Sequence, residues 1–307
     1  MEGILPLANS SNAKALIIEG GGMKGSFSGG VLSVMAKYCP ASNFDVILAV
    51  SSGSCSAAYY ATAQSAKDEH LQNIIQIWRN ELDGRKLINR LKFFLGLPML
   101  NQNYLIDYLM KVKYPLPLKN FNLKNLPPFH IVVSNIKKLK PEYIRATEEN
   151  LFSLLRAATS LPIATKGKFS LNGNLYTDGA VLDPLPVRAV VEAGYKDITV
   201  VMNNPIPQST KGYSRFMSNL AYPLYNKLAK VLSTQNYYRY SSAKEMIVHP
   251  PAGVKIRAIY PSFPLLGLVT TNKEKLNRAI NHGIERGTVA FKETRKGIEQ
   301  FLSLFSL

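Results

Sequence analysis

Ser51-Ser52-Gly53-Ser54 packs four small residues between an apolar run, Val46 to Val50, and a stretch carrying Ala57, Ala58, Ala61 and Ala63. The run is β-branched-rich, as a buried parallel strand is, and alanine favours a helix. A serine on the tight turn between such elements sits on a strained bend. Its hydroxyl is exposed and the positive end of the helix dipole lies beneath it. That is a way to present a serine nucleophile. The usual spacing is G-x-S-x-G; here it reads Ala49-Val50-Ser51-Ser52-Gly53, with alanine in the first glycine's place. Ser52, Ser54 and Ser56 are close by, but only Ser51 stands at the junction with glycine two residues on. The same stretch also reads as an ordinary strand-to-helix turn with serine as its N-cap.

A hydroxyl that attacks a carbonyl needs donors for the charge that develops. Gly20-Gly21-Gly22-Met23-Lys24-Gly25 follows an apolar run, Ala13 to Glu19, and precedes a helical pattern from Gly29 to Tyr38. Glycines there expose backbone N–H groups and let an anion approach closely. The pattern fits G-x-G-x-x-G, but a dinucleotide site wants an acid at the far end of the next strand. Asp45 stands at its start. A phosphate loop of the G-x-x-x-x-G-K-[ST] kind is excluded because Gly25-Ser26 lacks the lysine. An oxyanion hole fits better, since the next strand ends in the serine turn and parallel neighbours bring their loops to one sheet edge. Lys24 either steers a phosphate head group or solvates the helix start.

A serine hydroxyl also needs a base. Asp178-Gly179-Ala180 follows a hairpin pattern, Phe169 to Tyr176, with an Asn-Gly turn. Alone, such an aspartate is an ordinary turn residue. A Ser–Asp–His order would need a histidine after it, for which His249 is the better candidate and His282 the other. His70 and His130 precede Asp178 and read as surface and strand positions.

In this order, Gly-Gly-Gly-Met-Lys-Gly, Val-Ser-Ser-Gly-Ser, Leu-Arg-Ala-Ala-Thr-Ser-Leu-Pro and Asp-Gly-Ala-Val-Leu-Asp-Pro-Leu-Pro-Val closely resemble the patatin-like phospholipase family, its bacterial members especially. The resemblance covers Ala15 to Met202. It implies a three-layer α/β/α fold with a mainly parallel sheet and hydrolysis of lipid acyl esters by a Ser–Asp dyad. Ser51 and Asp178 fall in the dyad positions. The loop Gly20, Gly21, Gly22, Met23, Lys24, Gly25 matches the oxyanion element, with Gly53, Gly179 and Ala180 as supporting motif positions. Ala49 is the one departure. Neither metal nor cofactor is implied. A catalytically silent scaffold of this fold, or a polyanion-binding protein, is the alternative.

The elements that must hold these residues can be read in outline. Residues 13–205 read as the catalytic domain, with an irregular helical cap inserted at about 66–128 and a helical and strand extension over 206–307. Within the cap, Leu87 to Leu97 and Leu105 to Val112 read as helices, and Leu91, Phe93, Phe94, Met99 and Leu100 as an apolar entrance for an acyl chain. Phe129 to Asn135, Asp197 to Met202 and Val254 to Tyr260 read as strands, with Tyr143 to Ala146 beside the first. Ser214 to Tyr240 reads as a helix broken once, at Pro223, and Asn272 to Lys296 as one ending near Gly297, before an apolar tail from Phe301.

The chain has 307 residues, enough for one large α/β domain. Two cysteines, Cys39 and Cys55, give no disulfide framework and point to a reducing compartment. The start lacks a basic, apolar leader and no run reaches the ~18 apolar residues that span a bilayer. The expected location is therefore the cytoplasm or a membrane periphery, with secretion by another route left open. Lysine and arginine number 37 against 20 acids, a net charge of +17. Such charge attracts polyanions. Lys211, Arg215, Lys227, Lys230, Arg239 and Lys244, interleaved with tyrosines and Phe216, suggest docking on anionic lipid; no nucleic-acid-reading motif accompanies them.

Overall fold

The computed structural model describes residues 3–206 and 213–303, with side chains up to residue 292. Lys211 and the end of the apolar tail lie outside the described residues. The first unit is β1 (Lys14–Ile18), the glycine loop, α1 (Gly25–Tyr38) and β2 (Val46–Val50), with β1 and β2 parallel. Alternate residues of these apolar strands face opposite ways, as the pleat requires. Leu16, Ile18, Ile47 and Ala49 join one core; Ala15, Ile17, Val46 and Leu48 join the other. A sheet apolar on both faces needs helices on both.

On the first face lie α1, α2 (Ser52–Ala61), α3 (Gln72–Asn80), a wide π-type helix (Asn103–Lys113), α5 (Leu151–Ala158) and α10 (Lys273–Ser303). On the second lie α6 (Val187–Glu192) and α9 (Asn236–Val248). The result is the expected three-layer α/β/α arrangement.

The remaining strands are β3 (Phe129–Asn135), β4 (Lys140–Arg145), β5 (Phe169–Leu171), β6 (Asn174–Asp178), β7 (Asp197–Val201) and β8 (Lys255–Ile259). They complete an eight-stranded sheet ordered β5-β6-β3-β2-β1-β7-β8, with β4 also on β3. The β2-β3, β1-β7 and β7-β8 pairs are parallel. One junction matters for the site. β4 pairs with His130 to Asn135 along one edge of β3. On the other edge, β2 pairs as far as Val132, and antiparallel β6 takes over from Val133. The two strands therefore end against each other.

Four helical expectations change. α1 starts at Gly25, not Gly29. Leu87 to Leu97 holds one helical turn, α4 (Leu91–Phe94), because Gly96 turns left-handed (φ 66°) just before Pro98. Ser214 to Tyr240 breaks twice, giving α7 (Arg215–Ala221), α8 (Asn226–Thr234) and α9. At the second break the Ser233 and Thr234 hydroxyls both bond back to the Lys230 carbonyl, which bends a helix. α10 runs through Gly297 to Ser303. A glycine inside a helix is only weakly disfavoured, and punctuation alone misplaced that end.

Candidate active site

Ser51 is the first residue after β2, and its backbone is left-handed (φ 51°, ψ −130°). For a residue with a Cβ this costs on the order of 1–3 kcal/mol and persists only where the surroundings enforce it. They do so here through close packing. A Cβ at Gly53 would lie 2.5 Å from the Glu19 carbonyl oxygen, so α2 presses on the end of β1. Ala49 fits at the departing motif position: it is fully buried in the first core.

Asp178 is the last residue of β6, opposite Val133, one pair beyond Val50 and Val132. The end-to-end meeting of β2 and β6 brings the two side chains together across 127 residues of sequence. The Ser51 hydroxyl donates to Asp178 Oδ2 at 2.5 Å, and the Ala180 N–H donates to Oδ1 at 2.8 Å. Burial pushes the Asp178 carboxyl up from its ordinary 3.8 to about 7, against the lowering effect of these two donors. The carboxylate thus exchanges its proton near neutral pH.

The Asp178 segment is held from behind. A Cβ at Gly179 would lie 2.3 Å from the Val132 carbonyl oxygen, so only glycine lets the chain pass. The Thr177 hydroxyl donates to the Ser160 carbonyl at 2.9 Å and lies 2.7 Å from the Tyr222 hydroxyl. Asn236 donates to the Ala180 and Val181 carbonyls.

The glycine loop lies beside Ser51, with Gly21 (φ 139°) and Gly22 (φ 56°) left-handed. Among the described residues the Gly21 and Gly22 N–H groups have no protein acceptor. Met23 differs from expectation. Its N–H donates to the Leu268 carbonyl at 2.9 Å, so the loop before α10 takes the donor that the sequence assigned to the oxyanion hole. Lys24 donates to Asn204 Oδ1 at 2.6 Å, which ties it to the protein rather than leaving it to steer a head group. Gly20 and Gly25 bracket the loop.

Sequence reasoning missed the brace beneath this loop. Asn203 Nδ2 donates to the Glu19 and Gly20 carbonyls at 2.8 and 3.0 Å, and its Oδ1 accepts from the Ser28 N–H at 3.1 Å. The Glu19 carboxylate accepts from Asn204 and from the Tyr240 hydroxyl. Burial raises the Glu19 pKa, opposed by these hydrogen bonds and by Lys24. The available signal was Asn203-Asn204 directly after a strand, the edge where α/β sheets bind ligands.

The family model for patatin-like phospholipases matches residues 16–191, more than half the chain, a span that includes Ser51, Asp178 and the glycine loop. The chain belongs to the patatin-like phospholipase family. Its curated relatives include an uncharacterized protein, YjjU, of Escherichia coli (strain K12), 26% identical over 263 residues that span 82% of this chain and 69% of that one. Among solved structures, VipD from Legionella pneumophila aligns at 11% identity over 95% of this chain and 71% of its own, with a TM-score of 0.46. Similarity that distant says nothing of activity.

Within this family fold the histidines stand apart from the Ser51–Asp178 pair. His249 is exposed and lies 3.6 Å from Glu245. His282 accepts from the Ser262 N–H at 3.1 Å and stacks on Phe263. His130 is buried in β3, and burial lowers its pKa to about 4. His70 reaches Thr62 and the Tyr59 carbonyl.

Ser51 also lines a cavity of about 240 Å³ whose walls are almost wholly apolar. Tyr59, Ile74, Trp78, Leu105 and Met110 line its buried part, while the exposed lining residues Tyr213, Met217 and Leu268 mark where it meets solvent. Met99 and Leu100 line it as expected. Leu91, Phe93 and Phe94 do not; they point outward. Cys55, one helical turn after Ser51, is also in the wall, and burial pushes its thiol up to about 12, which leaves it unreactive. Among the described residues no helix is long and apolar enough to cross a membrane, and no three His, Cys, Asp or Glu side chains converge to hold a metal ion.

Proposed function

We propose that this chain hydrolyses acyl esters of lipids, with Ser51 as nucleophile and Asp178 as its base. The observation that carries the reading is the 2.5 Å hydrogen bond from Ser51 Oγ to the buried Asp178 carboxylate, in the wall of an apolar cavity. The cavity suits a fatty-acyl chain, whose burial contributes about 0.8 kcal/mol per methylene. Ser51 Oγ attacks the ester carbonyl carbon and its proton passes to Asp178 Oδ2. The carbonyl oxygen, now negative, accepts from the free N–H groups of Gly21 and Gly22; one such donor is typically worth about 3–4 kcal/mol. Collapse breaks the ester C–O bond, and Asp178 returns the proton to the departing alcohol. Water then attacks the acyl-serine and gives a proton to Asp178, which passes it to the departing Ser51 Oγ as the fatty acid is released.

Asp178 can act as base because burial brings its pKa close to working pH. The test is fatty-acid release from phospholipid and lysophospholipid by the parent protein and by Ser51→Ala. Loss of at least about a thousandfold is expected for removal of a nucleophile. Release that survives in folded Ser51→Ala would refute the assignment.

A further inference from the structure

Among the described residues, eleven of the 19 exposed large apolar side chains lie on three segments that also line the cavity. One runs through α4, where Phe94 and Leu95 are 81% and 72% exposed. The second is α7 with the turn after it, where Phe216 and Leu224 are 75% and 81% exposed. The third carries Leu268, over the glycine loop. Contacts join them around one opening: Arg90 donates to the Val269 carbonyl, Leu100 bonds to Ala164, and Lys168 lies over the Tyr225 ring. Isolated exposed apolar residues are ordinary, but a contiguous set around a mouth marks an interaction surface.

The segments that carry this rim bear charge of one sign. Residues 84–106, 150–177, 198–244 and 246–273 contain no aspartate or glutamate. Arg90 and Lys92 flank the α4 aromatics, Arg215 precedes Phe216, and Lys166 and Lys168 sit on the intervening loop. The C-terminal cations noted in the sequence divide differently. Arg239 is bound to the Leu182 carbonyl, and α9 packs on α6 and β8, on the opposite face of the sheet.

We propose that this rim is a docking surface for an anionic lipid bilayer. Phe94, Leu95, Phe216 and Leu224 enter the interface while Lys92, Lys166, Lys168 and Arg215 meet the lipid phosphates. Docking there sets the cavity mouth against the layer that holds the substrate, so an acyl chain passes from bilayer to cavity without crossing water. A protein partner would match the apolar rim equally; the cations on the rim segments favour a surface of dense negative charge.

This role presupposes the ester-hydrolase reading only for its purpose, and binding is measurable without turnover. Ser51→Ala protein is floated with phosphatidylcholine vesicles, alone and mixed with phosphatidylglycerol. Binding is expected only to the mixed vesicles and to weaken with salt. Phe94→Ser/Phe216→Ser in that background should lower partition by at least about tenfold. Lys166→Gln/Lys168→Gln should lower it about fivefold per charge removed. In the Ser51 background, Phe94→Ser/Phe216→Ser should hydrolyse a soluble short-chain ester at the parent rate. Unchanged flotation of the variants, no preference for phosphatidylglycerol, or no flotation of the parent would overturn the proposal. So would sedimentation showing that the phenylalanine changes split a dimer. Failed hydrolysis with flotation intact would refute the catalytic reading alone.

Discussion

Replacing Asp178 with asparagine should destroy activity and strengthen the fold, and the second effect has a defined pH dependence. Asp178 is fully buried, and burial raises its pKa from 3.8 to about 7. A carboxyl with a raised folded-state pKa contributes stability that is complete below the unfolded value and is lost as pH rises toward the folded one. The loss runs from about pH 4 to about pH 7 and is flat above. At about 1.4 kcal/mol per pKa unit it amounts to about 4 kcal/mol at pH 8, and about 2 kcal/mol at pH 5. Asparagine stays neutral throughout. Its Oδ1 can still accept from the Ala180 N–H, and its Nδ2 can donate to Ser51 Oγ, so the two hydrogen bonds survive in form. Asp178→Asn should therefore be more stable than the parent by up to about 4 kcal/mol at pH 8, with an advantage about 2 kcal/mol smaller at pH 5. At about 2 °C per kcal/mol for a chain of this size, that is a rise in Tm of about 8 °C at the higher pH. Denaturant unfolding of both proteins at the two pH values measures it. An Asp178→Asn protein no more stable than the parent at pH 8 would mean that the carboxylate is not held against its solvation, and the case for a near-neutral base would fall with it.

Two further changes separate the brace and the histidines from the Ser51–Asp178 pair. Asn203→Ala removes both bonds that hold the Glu19 and Gly20 carbonyls; kcat should fall about tenfold to a hundredfold, less than the roughly hundredfold to thousandfold of a donor lost outright, with a smaller change in KM. An unchanged kcat would show that the loop holds its shape without Asn203. His249→Ala should keep nearly all activity, since among the described residues its ionic partner is Glu245, one turn back in the helix that ends beside it. A loss of more than about tenfold in folded protein would bring back a Ser–Asp–His arrangement.

The part of the site that local chemistry encodes was legible in the sequence. The unit from β1 to α2 is built from apolar runs punctuated by small residues, and period and composition suffice to place Ser51 at its junction. Asp178 is different. Its approach depends on β6 entering end-on against β2, an arrangement made on β3 and invisible to any window around residue 178. The same holds for Asn203 under the glycine loop and for the Leu268 carbonyl that occupies the Met23 N–H. Helix ends failed where tertiary contacts outweighed propensity. Gly297 lies within α10, while Gly96 left only one turn at α4. Phe93 and Phe94, expected at an acyl-chain entrance, face outward rather than into the cavity, because apolar composition does not say which way a short helix faces.

Reaction with a fluorophosphonate, followed by mass mapping of the modified peptide, bears most directly on the central claim. The label is expected on Ser51 alone, at a rate that rises with pH through about 7 as Asp178 ionises, and is expected to be absent from Asp178→Asn. Label on Ser52, Ser54, Ser56 or Cys55, or on Ser51 at the same rate without Asp178, would contradict it.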